Sequence, residues 1–237
     1  MSVLGVIPAR LHSTRLPGKV LMPIAGKPMV QHVYERACRA SIDGLLVATD
    51  SREVWDFCWK VGIPVEMTLA THQSGTDRIW EISNRHHADW YLNVQGDQPL
   101  VTVERIEAVL QAAPMGAEVK TLRYQLPAED LANPHAVKVV SNARGEALYF
   151  SRLGVPFSRD GDQVTRYGHL GIYAYTRSAL EQFHYASPSP LELAERLEQL
   201  RFLDIGVRIH VFDAPGPTIG VDTAADLAEV EHILADQ

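Results

Sequence analysis

Gly44-Leu45-Leu46-Val47-Ala48-Thr49 runs directly into Asp50-Ser51, a helical pattern over 53–61, and then Pro64-Val65-Glu66-Met67-Thr68. An unbroken apolar run of this length is a strand covered on both faces. Asp50 or Ser51 supplies a helix cap, and a short second strand follows the helix. Strand, helix and strand in so short a span form a βαβ unit, whose two strands lie parallel in one sheet. Upstream, residues 3–7 are apolar and stopped by Pro8, and a helix is predicted over 28–40 with Met29, Val33 and Ala37 on one face. Downstream, a helix over 74–86 capped by Ser74 leads to a buried strand over 90–94, which ends at Gln95-Gly96-Asp97. The expected fold class is therefore α/β, Rossmann-like, with a mixed and mostly parallel sheet.

After about residue 117 the pattern turns β-rich. Strands are predicted over 119–124, 136–140, 147–150 and 171–175, with Asn142-Ala143-Arg144-Gly145 as a turn. One helix is predicted over 190–203, with Leu193, Leu197 and Leu200 as its core stripe and Glu192, Glu195 and Gln199 on another face. A strand over 207–212 and a helix over 223–234, opened by Asp222, complete the pattern. No linker composition or repeat marks a boundary. The expectation is one domain over 1–237 with a β-rich insertion in its second half, the halves meeting near residue 116.

Composition narrows the class. The chain has 237 residues, 46% hydrophobic and 22% charged, and a net charge of -7. That balance excludes disorder and argues against a general nucleic-acid binder. No apolar run approaches the roughly 18 residues of a membrane helix, so no membrane partner is expected. Residues 1–9 read as a first strand rather than a signal peptide, and Cys38 and Cys58 both fall in helical patterns. A reducing, cytoplasmic setting follows. The acids are unevenly spread: residues 1–34 hold Arg10, Arg15, Lys19 and Lys27 and no acid at all. A local anion site is one reading of that island, and chance spacing of solvated cations is the other.

Ligands of open parallel sheets bind beyond the carboxyl ends of the strands. Two loops at such ends carry chemistry. Pro8-Ala9-Arg10, continuing to Ser13-Thr14-Arg15-Leu16-Pro17-Gly18-Lys19, is neither a Walker A loop nor a dinucleotide fingerprint. It nevertheless offers backbone N–H groups, hydroxyls, two guanidinium forks and an ammonium, a set suited to a triphosphate. Asp97 follows a buried strand directly and is a natural Mg²⁺ ligand, since that ion takes one or two carboxylates plus phosphate oxygens. Asp222 is either a second carboxylate or a helix N-cap. The histidines show no HExxH or related spacing, which argues against a metal-dependent hydrolase.

Residues 10–19 together with Gly26-Lys27-Pro28-Met29 closely resemble the opening of the 3-deoxy-manno-octulosonate (KDO) cytidylyltransferases. Further blocks resemble the family in the same order. They are His72-Gln73-Ser74-Gly75-Thr76-Asp77-Arg78, Asn93-Val94-Gln95-Gly96-Asp97, Ala136-Val137-Lys138-Val139-Val140, Ala147-Leu148-Tyr149-Phe150-Ser151-Arg152, His169-Leu170-Gly171-Ile172-Tyr173, Leu197-Glu198-Gln199-Leu200-Arg201 and Gly220-Val221-Asp222-Thr223. The resemblance implies a fold of the nucleotide-diphospho-sugar transferase type and a homodimer. It also implies transfer of CMP from CTP to an acidic eight-carbon sugar in lipopolysaccharide biosynthesis. Pro8, Ala9, Arg10, Ser13, Lys19, Ser74, Gly75, Thr76 and Arg78 would then bind the nucleotide. Arg10, Lys19 and Asp97 would be catalytic, with Mg²⁺ on Asp97 and Asp222.

The sugar has a carboxylate beside its reacting carbon and a polyhydroxyl tail, so a cation should meet the first and hydrogen-bonding side chains the second. The resemblance assigns these roles to Gln95, Arg152, His169, Tyr173, Glu198 and Gln199. Read without it, His169 is a structural histidine, Tyr173 a core residue and Glu198 a solvated helix acid. Gln98 stands where the commonest family pattern has Glu, and the segment 159–167 is shorter than in many relatives. The alternative substrate is the 8-amino form of the sugar; the alternative class is a non-catalytic nucleotide-binding module.

Overall fold

β1 (Val3–Pro8) is the strand around which the first unit is built. The computed structural model describes residues 1–11, 16–112, 116–161, 164–216, 219–221 and 223–235. Two compact units divide the chain, residues 1–107 with 218–237 and residues 108–217. After β1 come a two-residue hairpin of β2 (Pro23–Ile24) and β3 (Lys27–Pro28), then α1 (Met29–Ala37), β4 (Gly44–Thr49), α2 (Arg52–Lys60), β5 (Val65–Met67), α3 (Gly75–Ser83), β6 (Trp90–Asn93) and α4 (Val103–Leu110). β1 pairs in parallel with β4 on one side and β6 on the other, and β4 pairs in parallel with β5.

The parallel arrangement explains the unbroken apolar runs. Val6, Ile7, Val47, Ala48 and Leu92 all lie at the core, with Val54, Cys58, Ile79 and Ile82 of the helices against them. Burial of each Val, Leu or Ile among them contributes about 1.5–3 kcal/mol. Ser51 caps α2, its Oγ accepting from the Val54 amide at 3.3 Å, so of the two expected caps the hydroxyl serves. The β2–β3 hairpin between Lys19 and α1 was not anticipated. Ala25 and Gly26 both take positive φ, 47° and 83°, the conformation that a tight two-residue hairpin turn requires.

In the second unit, β7 (Val119–Gln125), β8 (Lys138–Ser141), β9 (Ala147–Ser151) and β10 (Tyr167–Tyr175) form mostly antiparallel pairs. α5 (Arg177–Tyr185), α6 (Pro190–Glu195), α7 (Gln199–Asp204) and β11 (Ile209–Asp213) follow, with β11 parallel to β7. The chain then closes with α8 (Ala224–Ala235) in the first unit, where Val230 joins Ile24, Met29 and Val221 in a small core. The α/β class, the parallel sheet and the β-rich second half are as expected. α4 and α5 were not anticipated.

The expected helix over 190–203 is instead two helices. Ser189 and Glu192 form a reciprocal capping box at the start of α6, and Arg196 ends it in the left-handed region at φ 57°. The reason is visible at Arg201, whose Nε and Nη2 donate to the Glu192 carboxylate at 2.7 and 2.5 Å. In a straight helix these residues would stand about 13.5 Å apart along the axis. Folding the segment at residue 196 brings them together in a buried pair. Leu197 and Leu200 are core as expected, whereas Leu193 is 54% exposed.

Candidate active site

At the carboxyl end of β1, Ala9 is fully buried and its amide donates to the Ala48 carbonyl at 2.9 Å, which extends the parallel ladder past the strand. Arg10, next along, is exposed, with Nη1 donating to the Gln73 carbonyl at 3.1 Å. The loop beyond is closed by the Gly18 amide donating to the Leu11 carbonyl at 2.8 Å, and Gly18 itself stands at φ 74°. Left-handed backbone at this point suits glycine and aims the next residue inward. Lys19 Nζ donates to Asp97 Oδ2 at 2.7 Å and to the Val221 carbonyl at 2.9 Å. Ser13 lies outside the described residues.

Asp97 is held from both sides. A β-carbon on Gly96 would come within 2.8 Å of the Pro8 carbonyl oxygen, so only glycine lets the turn after β6 approach the end of β1 so closely. The Val221 amide donates to the Asp97 carbonyl at 2.8 Å. Lys19, Asp97 and the segment at Val221 thus converge although they are remote in sequence. Asp222 lies outside the described residues. The capping of α8 belongs to Thr223, whose Oγ1 accepts from the Asp226 amide while Asp226 Oδ2 accepts from the Thr223 amide. Among the described residues no group of three or more His, Cys, Asp or Glu side chains could hold a metal. Oδ1 of Asp97 has no partner among them.

The block 74–78 opens α3. Ser74 Oγ accepts from the Asp77 amide at 3.0 Å and donates to Asp77 Oδ2 at 2.8 Å, and a β-carbon on Gly75 would rest 3.5 Å from the Pro8 ring. The helix N-terminus therefore lies against the end of β1. Thr76 is buried beside it. Arg78, expected to contact the nucleotide, follows on the first turn of α3. Its side chain is fully buried, with Nη2 donating to Asp50 Oδ2 at 2.6 Å and Nη1 to Thr68 Oγ1 at 2.7 Å. A guanidinium held in this way ties α3 to the ends of β4 and β5, and its buried Nε has no hydrogen-bond partner among the described residues. Asp77 completes the cap, and Ser-x-x-Asp is a cap signature legible in the sequence.

Gln95 is half-buried, and its carbonyl accepts from the Gln98 amide at 3.1 Å in the turn that presents Asp97. Gln98 carries a buried Oε1 with no hydrogen-bond partner among the described residues.

The sugar candidates lie in the second unit. Arg152 Nε donates to the Glu195 carbonyl at 2.7 Å, Nη1 to the Pro134 carbonyl at 2.9 Å and Nη2 weakly to the Arg196 carbonyl at 3.4 Å. The Glu195 carboxylate accepts from Ser151 Oγ at 2.8 Å and from the Arg152 amide at 2.9 Å. Glu195 therefore organises this corner, a role that a straight helix over 190–203 concealed. Buried Lys138 adds a bond from Nζ to the Arg152 carbonyl at 2.9 Å, and burial lowers its pKa.

His169 Nε2 lies 2.9 Å from Thr121 Oγ1, with the Phe150 and Tyr173 rings against the imidazole at centroid distances of 4.9 and 5.4 Å. Burial pulls its pKa down to about 3. Tyr173 is buried, and its phenol pKa is raised well above the ordinary value by burial first and then by Tyr175 and Glu198. His169, Tyr173 and Glu198 thus form one neighbourhood. Glu198 is exposed at the start of α7, and Gln199 beside it is buried.

The His169 pKa has a measurable consequence. Its folded value of about 3 lies below the ordinary 6.5, so the unfolded chain takes up the proton first. The neutral ring's contribution is complete above pH 6.5 and is lost as pH falls toward 3. Between pH 5.5 and 4.5, His169→Gln should remove about 1.4 kcal/mol from the pH dependence of unfolding. Urea titrations of both proteins at those two pH values read the difference; equal slopes would place a solvated imidazole at 169.

The sequence pattern of the cytidylyltransferase family matches residues 4–209. Over the whole chain, the sequence is 49% identical to a 3-deoxy-manno-octulosonate cytidylyltransferase from Acidobacterium capsulatum, covering 98% of that protein. It is 42% identical to the enzyme of that description from Escherichia coli, covering 98% of this chain and 96% of the other. Among solved structures, a CMP:2-keto-3-deoxy-manno-octonic acid synthetase complexed with CTP superposes with a TM-score of 0.95 at 41% identity, over 100% of this chain and 99% of that one. The inositol-1-phosphate CTP transferase from T. maritima, at 14% identity and a TM-score of 0.69 over 98% of this chain and 94% of its own, shares the fold.

Proposed function

The chain belongs to the 3-deoxy-manno-octulosonate cytidylyltransferases, and from that membership we propose that it transfers CMP from CTP to the anomeric hydroxyl of 3-deoxy-manno-octulosonate, with release of pyrophosphate. The observation that carries the reading is the convergence of Lys19 and Asp97 at the end of β1, beside the exposed Arg10. A cation pair and one carboxylate beyond a parallel sheet suit a triphosphate held by its oxygens. The sugar's anomeric oxygen attacks the α-phosphorus as the bond to the β-phosphate oxygen breaks. Arg10 and Lys19 bind the triphosphate and stabilise the charge that grows on the leaving pyrophosphate. Pro8, Ala9, Ser74, Gly75 and Thr76 shape the nucleoside end, while Arg78 holds α3.

Asp97 fits Mg²⁺, because its Oδ1 is unpartnered among the described residues and this ion is content with one or two carboxylates when phosphate oxygens complete its shell. Asp222 is its proposed companion. When bound, the ion screens the α-phosphate and lowers the pKa of the attacking hydroxyl. Lys19 then moves from Asp97 to the phosphates.

Arg152 receives the sugar carboxylate, and Gln95, His169, Tyr173, Glu198 and Gln199 receive its hydroxyls. The product is a precursor for lipopolysaccharide. A homodimer is part of the proposal, supported by exposed Leu148, Leu153 and Phe157 in the second unit. So is a cytoplasmic setting, supported by the free thiols of Cys38 and Cys58. Among the described residues no helix is long and apolar enough to cross a membrane.

Pyrophosphate release from CTP and Mg²⁺ tests the reading, with the sugar and its 8-amino analogue assayed side by side. Release that depends on the unmodified sugar and stops with excess chelator is the expected result. A preference for the amino analogue would reassign the substrate. Silence with both, from folded protein that binds CTP, would overturn the reaction.

A further inference from the structure

β10 is bulged between Leu170 and Tyr173, where its register against β7 shifts so that Tyr173 pairs with Thr121. The bulge turns two carbonyls of one strand toward a single hydroxyl. Thr121 Oγ1 lies 3.0 Å from the Ile172 carbonyl, 3.3 Å from the Leu170 carbonyl and 2.9 Å from His169 Nε2. Thr121 is fully buried, so no solvent competes for these bonds.

A hydroxyl has one proton to give and can accept two. Both carbonyls can only accept, so the Thr121 proton goes to one of them, and Ile172 is the nearer. If it went to His169 instead, the hydroxyl oxygen would face two carbonyl oxygens with no proton between them. The imidazole must then donate from Nε2 to Thr121. A neutral ring has only one N–H, which leaves Nδ1 as a bare lone pair. Nδ1 has no partner among the described residues, and the Phe150 and Tyr173 rings pack against the imidazole.

We propose that Thr121 is a positioning residue that locks His169 in the Nε2–H form, so that Nδ1 is a permanent acceptor and the sugar must offer it a hydroxyl. This inference rests on the proposed sugar role of His169 and says what kind of group that residue recognises. A substrate with an ether or carbonyl oxygen at that place would meet lone pair against lone pair. The neutral ring also rules out His169 as a proton donor to the sugar at ordinary pH.

The test is two-bond ¹H–¹⁵N correlation of the histidine rings in the intact protein, with His169→Gln used to assign the resonance, alongside steady-state kinetics. The expected result is the Nε2–H pattern in sugar-free protein, and a shift of the Nδ1 resonance when the sugar is added. Thr121→Val, nearly isosteric, should raise the KM for sugar about tenfold, the effect of one misplaced hydrogen bond, with the KM for CTP unchanged. Thr121→Ser, which keeps the hydroxyl, should restore it and guards against a packing defect in the valine variant. The Nδ1–H pattern in the wild-type protein, or an unmoved sugar KM in Thr121→Val, would overturn the inference. Failure of the cytidylyltransferase reading looks different, as absent pyrophosphate release with either sugar whatever form the ring takes.

Discussion

Asp97→Asn is expected to lower kcat by about a hundredfold or more while leaving the KM for CTP within about threefold of its original value. The substitution preserves shape, so the Asp97 backbone keeps its bond from Val221 and the turn after Gly96 keeps its approach to Pro8. What is lost is one negative charge at the point where a divalent ion and the developing phosphoryl charge meet. Arg10 and Lys19 remain to bind the triphosphate and the start of α3 the nucleoside, so the loss falls on the transition state. Steady-state kinetics with CTP varied at saturating sugar measure both quantities. Normal turnover in this variant would remove Asp97 from the chemistry and the metal with it. A rise in the CTP KM of the same size as the loss in kcat would make Asp97 a ground-state binding group.

The second large effect is expected at Arg152. Its guanidinium has five N–H donors, and carbonyls of Pro134, Glu195 and Arg196 engage three of them. Two remain for a carboxylate, in an orientation those three bonds set. Arg152→Ala removes both charge-assisted bonds, each worth about 1.5–3 kcal/mol, and should raise the KM for sugar by at least about a hundredfold with little change for CTP. Arg152→Lys should recover little, because a single ammonium cannot meet three carbonyls and still present a fork. Equal effects on the two substrates would move Arg152 out of the sugar site and make it a strut of the corner around Glu195. A melting curve of each variant separates that corner's collapse from loss of binding.

Most of the fold was legible in the linear sequence because its signals are local. The run Gly44–Thr49 has the same bounds in the structure as in the pattern, since a strand covered on both faces needs only continuous apolar side chains. Ser51 and Ser74 cap their helices through neighbours three residues on, again a local matter. Arg196 shows where such signals fail. Nothing between 190 and 203 reads as a breaker, and the helix stops there because Arg201 and Glu192 gain a buried pair that only a folded-back chain allows.

The candidate site divides along the same line. Arg10, Lys19 and Asp97 were identifiable by residue type, by their place after apolar runs and by resemblance, since charge beside a strand end is a one-dimensional property. The fate of Arg78 was not, because the block 72–78 gives no sign that Asp50 and Thr68 will enclose its guanidinium. Glu195 and Thr121 were likewise invisible, one lying on a helix face that does not exist as drawn, the other being an ordinary strand threonine until a bulge on β10 surrounds it. Periodicity, caps and charge depend on residues a few places apart and are written in the chain. Which polar groups share a proton, and which cations are already spent on carbonyls, depends on residues brought together from distant positions. Those assignments exist only once the backbone has closed, and they decide how a carboxylate and a hydroxyl would be told apart.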